Sequence, residues 1–164
     1  MSKPSSLLEQ ARAGLPASLR QRYFEEEPHR GIHLAVMNEP YLSMLLRGEK
    51  TVESRLSRNR VDPFERVHSG DLVLLKAGPV VGAFVVGSVE HIDLTTHTIS
   101  DLRSTYNNRI RASNDFWQLK CDARFATLLE VDDICRIEPF SVTKRDMRGW
   151  VVLRAADREL AMTW

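Results

Sequence analysis

The residues best suited to chemistry lie in one short stretch, Gly48-Glu49-Lys50-Thr51-Val52-Glu53-Ser54-Arg55. It joins an apolar, helix-like run to a strand-like one, and it gathers Lys50, Glu53 and Arg55 near a turn of the chain. Unlike charges that converge at the end of an element are hard to explain by packing. They indicate a polar cluster in a cleft, made to hold a ligand with hydrogen-bonding edges or negative charge.

Each of these side chains has a possible catalytic role. A lysine buried beside a sheet has a lowered pKa, so Lys50 is a candidate base or nucleophile. Glu53 would accept or donate a proton, and Arg55, on the same strand face, would clamp a phosphate or orient Glu53. The alternative is a structural ion pair between Glu53 and Arg55, with Lys50 in solvent. The sequence leaves catalysis and simple binding both open.

The elements that position this cluster follow from helix and strand signals. Pro40 and the apolar residues after it predict a short helix that Gly48 ends. Residues 51–56 then predict a strand. A Ser69-Gly70-Asp71 turn precedes a second strand over 72–76, and residues 80–92 predict a long strand bent at its glycines.

Further strands are predicted over 32–37, over 125–137 with Glu138-Pro139 as the stop, and over 150–153. Short helices are predicted over 100–106, with Ser100 as the cap, and over 114–120. Together these elements predict an α+β fold, a curved sheet or open barrel of five to six strands with short helices. Residues 1–28 form an N-terminal helical extension, divided by Pro16, and residues 29–164 form the main domain.

Composition narrows the classes of protein. The net charge of +1 excludes a polybasic nucleic-acid coat. No apolar run reaches membrane-spanning length and no signal peptide is evident, so we expect a cytoplasmic chain without membrane contact. Cys121 and Cys135 form neither a disulfide framework nor a zinc pattern, and we expect two buried thiols. The histidines lack ligand spacing, so we expect no metal and no cofactor.

Gly48, Lys50, Glu53 and Arg55 match the signature G-x-K-x-x-E-x-R that follows a short helix in the ASCH family. The chain resembles this family of the PUA-like superfamily from about residue 32 to residue 139, and residues 70–76 resemble the strand that the family places next. The resemblance implies a PUA-like pseudo-barrel with a cleft beside the helix that precedes the signature strand.

The resemblance also implies a role in RNA metabolism or in the handling of modified bases. We therefore expect the cleft to recognise single-stranded RNA or a modified nucleoside. The alternative is a hydrolase, either a ribonuclease on single-stranded RNA or an amidohydrolase on a modified pyrimidine such as N4-acetylcytidine. A third possibility is a regulator whose N-terminal helices dock a protein partner. The oligomeric state is left open.

The chain departs from the deacylating branch of the family in two respects. That branch carries a Thr where Glu53 stands, and it places a carboxylate in the helical segment after the long strand. In this chain no Asp or Glu lies between Asp101 and Asp115. The departure counts against deacylation of acetylcytidine.

Residues around the signature are candidate nucleic-acid contacts. Tyr41 and Trp117 would stack on a base, and Thr51 stands beside the cluster. Arg58 and Arg60 lie in the loop after the signature strand and would follow a phosphate backbone. The sequence leaves a core role for Trp117 and a solvated loop for the arginines equally open.

Overall fold

The structure is a computed structural model that describes residues 5–157. One six-stranded sheet forms its centre. The strands are β1 (Ile32–Val36), β2 (Val52–Ser57), β3 (Leu72–Lys76), β4 (Val80–Asp93), β5 (Phe125–Phe140) and β6 (Trp150–Arg154). They lie in the order β2-β5-β4-β3-β1-β6, in which β1 and β3 are parallel and the other neighbours antiparallel.

Short helices occupy the connections. They are α1 (Leu7–Gly14), α2 (Ala17–Gln21), α3 (Tyr41–Leu46), α4 (Ile99–Ile110) and α5 (Asn114–Leu119), with a π-helical turn over Arg22–Glu26. Within residues 5–157 no helix has the length and apolar character needed to cross a bilayer. The predicted α+β fold with a curved sheet and short helices is therefore confirmed, and the break near Pro16 separates α1 from α2.

The sheet curls until its two edges face each other. β2 and β6 are the outermost strands, yet Arg55 of β2 donates from Nη2 to the carbonyl of Val36, 3.1 Å away at the end of β1. The bends come from irregular pairing between β4 and β5, whose register shifts around Gly82 and again between Val86 and Val89. Such shifts increase the local twist and bend a strand.

Two boundaries differ from prediction. β5 continues through Pro139 to Phe140, so Pro139 does not stop it. Beyond residue 130 this strand pairs with β4 alone, and a free edge tolerates a residue without an N–H. α4 begins after Thr98, whose side chain accepts from the Asp101 N–H, rather than after Ser100. Its left-handed cap is Arg111, at φ 62°, and a non-glycine cap gives no sequence signal.

The N-terminal helices pack on the sheet. Ala11, Leu15 and Tyr23 are buried in one apolar cluster with residues of β1 and β3, including Leu34 and Leu74. β1 is consequently buried on both faces, as its apolar run predicted. The division of the chain after residue 28 stays a prediction.

Both cysteines lie at the surface. Cys121 follows α5 and Cys135 lies on β5, and both are exposed free thiols. The expectation of buried thiols is wrong. A strand such as β5 alternates its faces, and a cysteine's small apolar side chain does not by itself specify which face it takes.

Candidate functional site

Lys50 lies at the junction of α3 and β2, with its side chain turned inward. Gly48 adopts φ 77° and ends α3, and the reversed chain then directs Lys50 into the protein, where it is 3% exposed. Its Nζ donates to the carbonyl of Ile110 at 2.7 Å and lies 5.5 Å from the centre of the Tyr41 ring. The expectation of a solvated lysine, which accompanied the purely structural ion pair, is wrong.

Burial changes the acidity of this lysine. Desolvation lowers the pKa of Lys50; the Glu53 carboxylate counteracts part of that effect, and the Arg55 cation adds to it. The ammonium is held by one carbonyl and one aromatic face. Lys50 therefore packs against Tyr41 and is not among the side chains that line the neighbouring cleft.

Glu53 and Arg55 lie beside each other on β2. Arg55 Nε is 3.6 Å from Glu53 Oε1, too long for a hydrogen bond, and the two side chains are 6% and 23% exposed for Glu53 and Arg55. Glu53 Oε1 accepts from the backbone N–H of Ser54 at 3.1 Å. Within the described chain, Glu53 Oε2 and Arg55 Nε are buried polar atoms without a hydrogen-bond partner.

Arg55 also bridges the two edges of the sheet. Its Nη2 donates to the Val36 carbonyl at 3.1 Å, its Nη1 lies 3.4 Å from the Gly149 carbonyl, and its guanidinium carbon is 5.4 Å from the Trp150 ring centre. These contacts fix the guanidinium while leaving Nε free. Glu53 and Arg55 thus place one unused acceptor and one unused donor side by side.

Both residues line a cleft of about 660 Å³ that opens between β2, the start of α3 and α5. Its aromatic side chains are Tyr41, Phe64, Phe116 and Trp150. Its charged side chains are Glu39, Glu53, Asp62, Asp115, Arg55 and Lys120. The volume falls within the usual range for a small-molecule site, and the aromatic side chains suit a planar ligand.

The structure distributes the predicted nucleic-acid contacts unevenly. Tyr41 lines the cleft. Thr51 lies outside it and accepts from Arg109 Nε at 3.3 Å. Trp117 is 3% exposed and packs in the apolar cluster beneath α4 and α5, so a core role, the alternative left open, fits its burial.

Arg58 and Arg60 also lie outside the cleft, and each faces a carboxylate. Arg58 Nε is 3.2 Å from Asp122 Oδ2, and Arg60 is paired with Glu65. Such pairing reduces the positive charge that the loop presents to a phosphate backbone.

Several cleft residues carried no usable sequence signal. Ser113 caps α5, Asp115 and Phe116 lie in its first turn, and all three are far from β2 along the chain. The Ser113 side chain caps α5 by accepting from the Phe116 N–H at 3.2 Å. Asp115 supplies a cleft carboxylate, whereas α4, where the deacylating branch was expected to carry one, contributes no lining residue.

Within residues 5–157 no three His, Cys, Asp or Glu side chains lie close enough together to hold a metal ion. The cleft offers a hydrogen-bonding pair, aromatic faces and a predominance of carboxylates.

Comparison with known proteins agrees with this architecture. The sequence profile of the ASCH domain matches residues 36–153. No curated protein sequence matches the chain significantly. Crystal structures of the ASCH protein from Zymomonas mobilis are similar to this chain at 16% identity. The parent protein has a TM-score of 0.60 and covers 80% of this chain and 94% of its own. A tyrosine-to-phenylalanine mutant has a TM-score of 0.60, with coverages of 82% and 98%.

Proposed function

This chain belongs to the ASCH domain family, and from that premise we propose that its cleft binds one nucleobase, presented by a modified nucleoside or by single-stranded RNA. The observation that carries the proposal is the pair of unpartnered buried atoms, Glu53 Oε2 and Arg55 Nε. A buried polar atom without a partner costs about 1–3 kcal/mol. Both atoms are buried but belong to side chains that line the cleft, so a ligand reaches them once these side chains turn towards it.

The chemistry of the pair suits the edge of a base. Glu53 Oε2 needs a donor and Arg55 Nε needs an acceptor, and the edges of nucleobases carry donors next to acceptors. The aromatic walls suit the faces of the same ligand, since stacking on an aromatic side chain contributes about 1–3 kcal/mol per base. Edge and face recognition together are the usual way in which proteins read unpaired bases.

The charge of the cleft selects among such ligands. Among the lining residues the carboxylates of Glu39, Glu53 and Asp115 outnumber the cations of Arg55 and Lys120, and Asp62 is paired with Arg66. A phosphate in the cleft would meet net repulsion. The cleft therefore favours an uncharged nucleoside, or one base turned in from a strand whose phosphates stay outside, and binding should depend only weakly on salt.

The test is calorimetric binding of the four common ribonucleosides, N4-acetylcytidine and a short single-stranded RNA. Glu53→Gln should weaken binding about tenfold, equivalent to about 1.4 kcal/mol, because it removes a charged acceptor. Glu49→Gln is the matched control: it makes the same change four residues earlier in the sequence, on an exposed side chain paired with Arg47. Binding of none of these ligands, or equal affinities in the two variants, would contradict the proposal.

Hydrolysis of a modified pyrimidine or of single-stranded RNA is the second candidate function. It is favoured by Lys50, whose pKa burial lowers towards the range in which an amine acts as a base. Lys50 packs on the Tyr41 ring and does not line the cleft, so this function requires a rearrangement that brings its amine to the substrate. Turnover of N4-acetylcytidine and of RNA by the wild type, lost in Lys50→Met but kept in the surface control Lys76→Met, would support it. Absence of wild-type turnover leaves binding as the function.

A further inference from the structure

A chain of buried polar side chains runs across three neighbouring strands to the wall of the cleft. Asp71 immediately precedes β3, His33 lies in β1 and Trp150 begins β6, and β1 separates the other two strands. His33 Nε2 is 2.9 Å from Asp71 Oδ2, and Trp150 Nε1 donates to His33 Nδ1 at 3.1 Å. Asp71 and His33 are fully buried, and Trp150 is 4% exposed.

The hydrogen bonds define the tautomer of His33. An indole nitrogen can only donate, so His33 Nδ1 must be the acceptor and carries no proton. His33 Nε2 therefore bears the hydrogen and donates it to Asp71. The Asp71 carboxylate is itself held by the backbone N–H groups of Gly31, at 2.8 Å, and His68, at 3.0 Å. Each hydrogen bond that joins Trp150, His33 and Asp71 therefore has one assigned donor and one assigned acceptor.

A second tryptophan shows that this arrangement is not required for burial. Trp117 is as buried as Trp150, yet its indole nitrogen has no hydrogen-bond partner. Trp150 differs because it lines the cleft and carries the Arg55 guanidinium over its ring at 5.4 Å. The orientation of its ring therefore affects where Arg55 points.

We propose that Asp71 and His33 are positioning residues, which hold the Trp150 indole so that Arg55 presents its free Nε beside Glu53. The carboxylate fixes the histidine tautomer, the histidine fixes the indole, and the indole supports the guanidinium. The effect on ligand affinity rests on the proposed nucleobase site. The positions of the indole and the guanidinium do not, and they can be measured without ligand.

The wild-type protein gives the first test. Nitrogen-15 NMR at neutral pH should show His33 with a protonated Nε2 and an unprotonated Nδ1, and a protonated Nδ1 would overturn the proposal. Trp150 Nε1–H, assigned through its loss in Trp150→Phe, and Arg55 Nε–H provide two further signals.

Asp71→Asn tests these hydrogen bonds by replacing the carboxylate with a group that has one acceptor oxygen. The amide N–H₂ must then oppose either the Gly31 N–H or the N–H groups of His33 and His68, so the carbonyl-for-carboxylate exchange weakens the hold on His33 in either orientation. The signals of Trp150 Nε1–H and Arg55 Nε–H should both shift. Gly31→Ala displaces the same carboxylate without replacing any polar side chain, because an added Cβ would lie 2.4 Å from Asp71 Oδ2. Asp132→Asn, on the exposed part of β5, is the control.

We expect shifted indole and guanidinium signals in Asp71→Asn and Gly31→Ala, unchanged signals in Asp132→Asn, and about tenfold weaker nucleoside binding in the first two. If Asp71→Asn does not fold, the signals of Gly31→Ala and the His33 tautomer of the wild type decide whether Asp71 and His33 position Trp150. Unchanged signals in a folded Asp71→Asn or Gly31→Ala would overturn the proposal. If the wild type binds no nucleoside, the proposed function fails while the NMR signals still decide the positioning role.

Discussion

Replacement of Arg55 by methionine tests the closure of the sheet. Methionine is shorter but keeps much of the apolar stem of the side chain, and it removes every donor and the charge. The substitution therefore separates the contribution of the guanidinium from that of packing. We expect a folded protein with a clearly reduced free energy of unfolding.

The magnitude follows from the contacts of the guanidinium. The hydrogen bond to the Val36 carbonyl, at 3.1 Å, has a charged donor and should contribute about 2 kcal/mol. The stacking on Trp150, at 5.4 Å, should contribute about 1 kcal/mol. The contact with the Gly149 carbonyl, at 3.4 Å, is too long to add much. Arg55→Met should thus lower the free energy of unfolding by about 3 kcal/mol.

Urea denaturation followed by far-ultraviolet circular dichroism measures this difference. Arg58→Met is the matched control, since Arg58 is 75% exposed and its ion pair with Asp122 is a surface pair. Such a pair contributes about 0–1 kcal/mol, so the control should stay near the wild-type value. A loss in Arg55→Met no larger than that in Arg58→Met would refute the role of Arg55 in closing the sheet.

Three further predictions concern buried and exposed side chains. Because the pKa of Lys50 is lowered in the folded state, the unfolded chain binds more protons between the folded pKa and the ordinary value of about 10.4. Wild-type stability in urea should therefore gain a contribution as pH rises through that window, and Lys50→Met should lack it; identical pH profiles would contradict the shift. Trp117→Ala should lower the free energy of unfolding by about 3–5 kcal/mol without changing the nucleoside affinity of the folded protein, and weaker binding would place Trp117 at the ligand. Cys121 and Cys135 should both react with a thiol reagent in the native protein, Cys135 more slowly because burial raises its pKa; protection of either thiol would show that it is covered.

Local signals were sufficient to predict most of the fold. Glycine at the end of α3 and the Gly-Asp turn before β3 each have a direct conformational meaning, and β3 begins and ends at the predicted residues, Leu72 and Lys76. The end of α4 was missed because Arg111 takes a left-handed conformation without being glycine. The extent of β5 was missed because Pro139 is tolerated only where a strand has a free edge, and sequence does not show which strands become edges.

The candidate site was less predictable because it depends on long-range packing. Neighbouring residues on a helix point about 100° apart, so the Phe116-Trp117 pair could not reveal which ring faces the core. The structure places Phe116 in the cleft and Trp117 in the core. Likewise, the position of Lys50 on the chain indicated a junction, but the packing of its amine on the Tyr41 ring depends on how α3 lies on the sheet.

The closure of the sheet has a consequence for how a ligand enters. Neighbouring strands of the sheet are joined by backbone ladders. Between β2 and the opposite edge, formed by β1 and β6, there is a seam, and within residues 5–157 the hydrogen bonds across it come from Arg55 alone. This seam can open by releasing one guanidinium, with every ladder intact. A ligand that takes up Arg55 competes for the group that keeps the seam shut. Occupancy of the cleft and opening of the seam are therefore linked, and hydrogen exchange of the Arg55 guanidinium should respond to ligand.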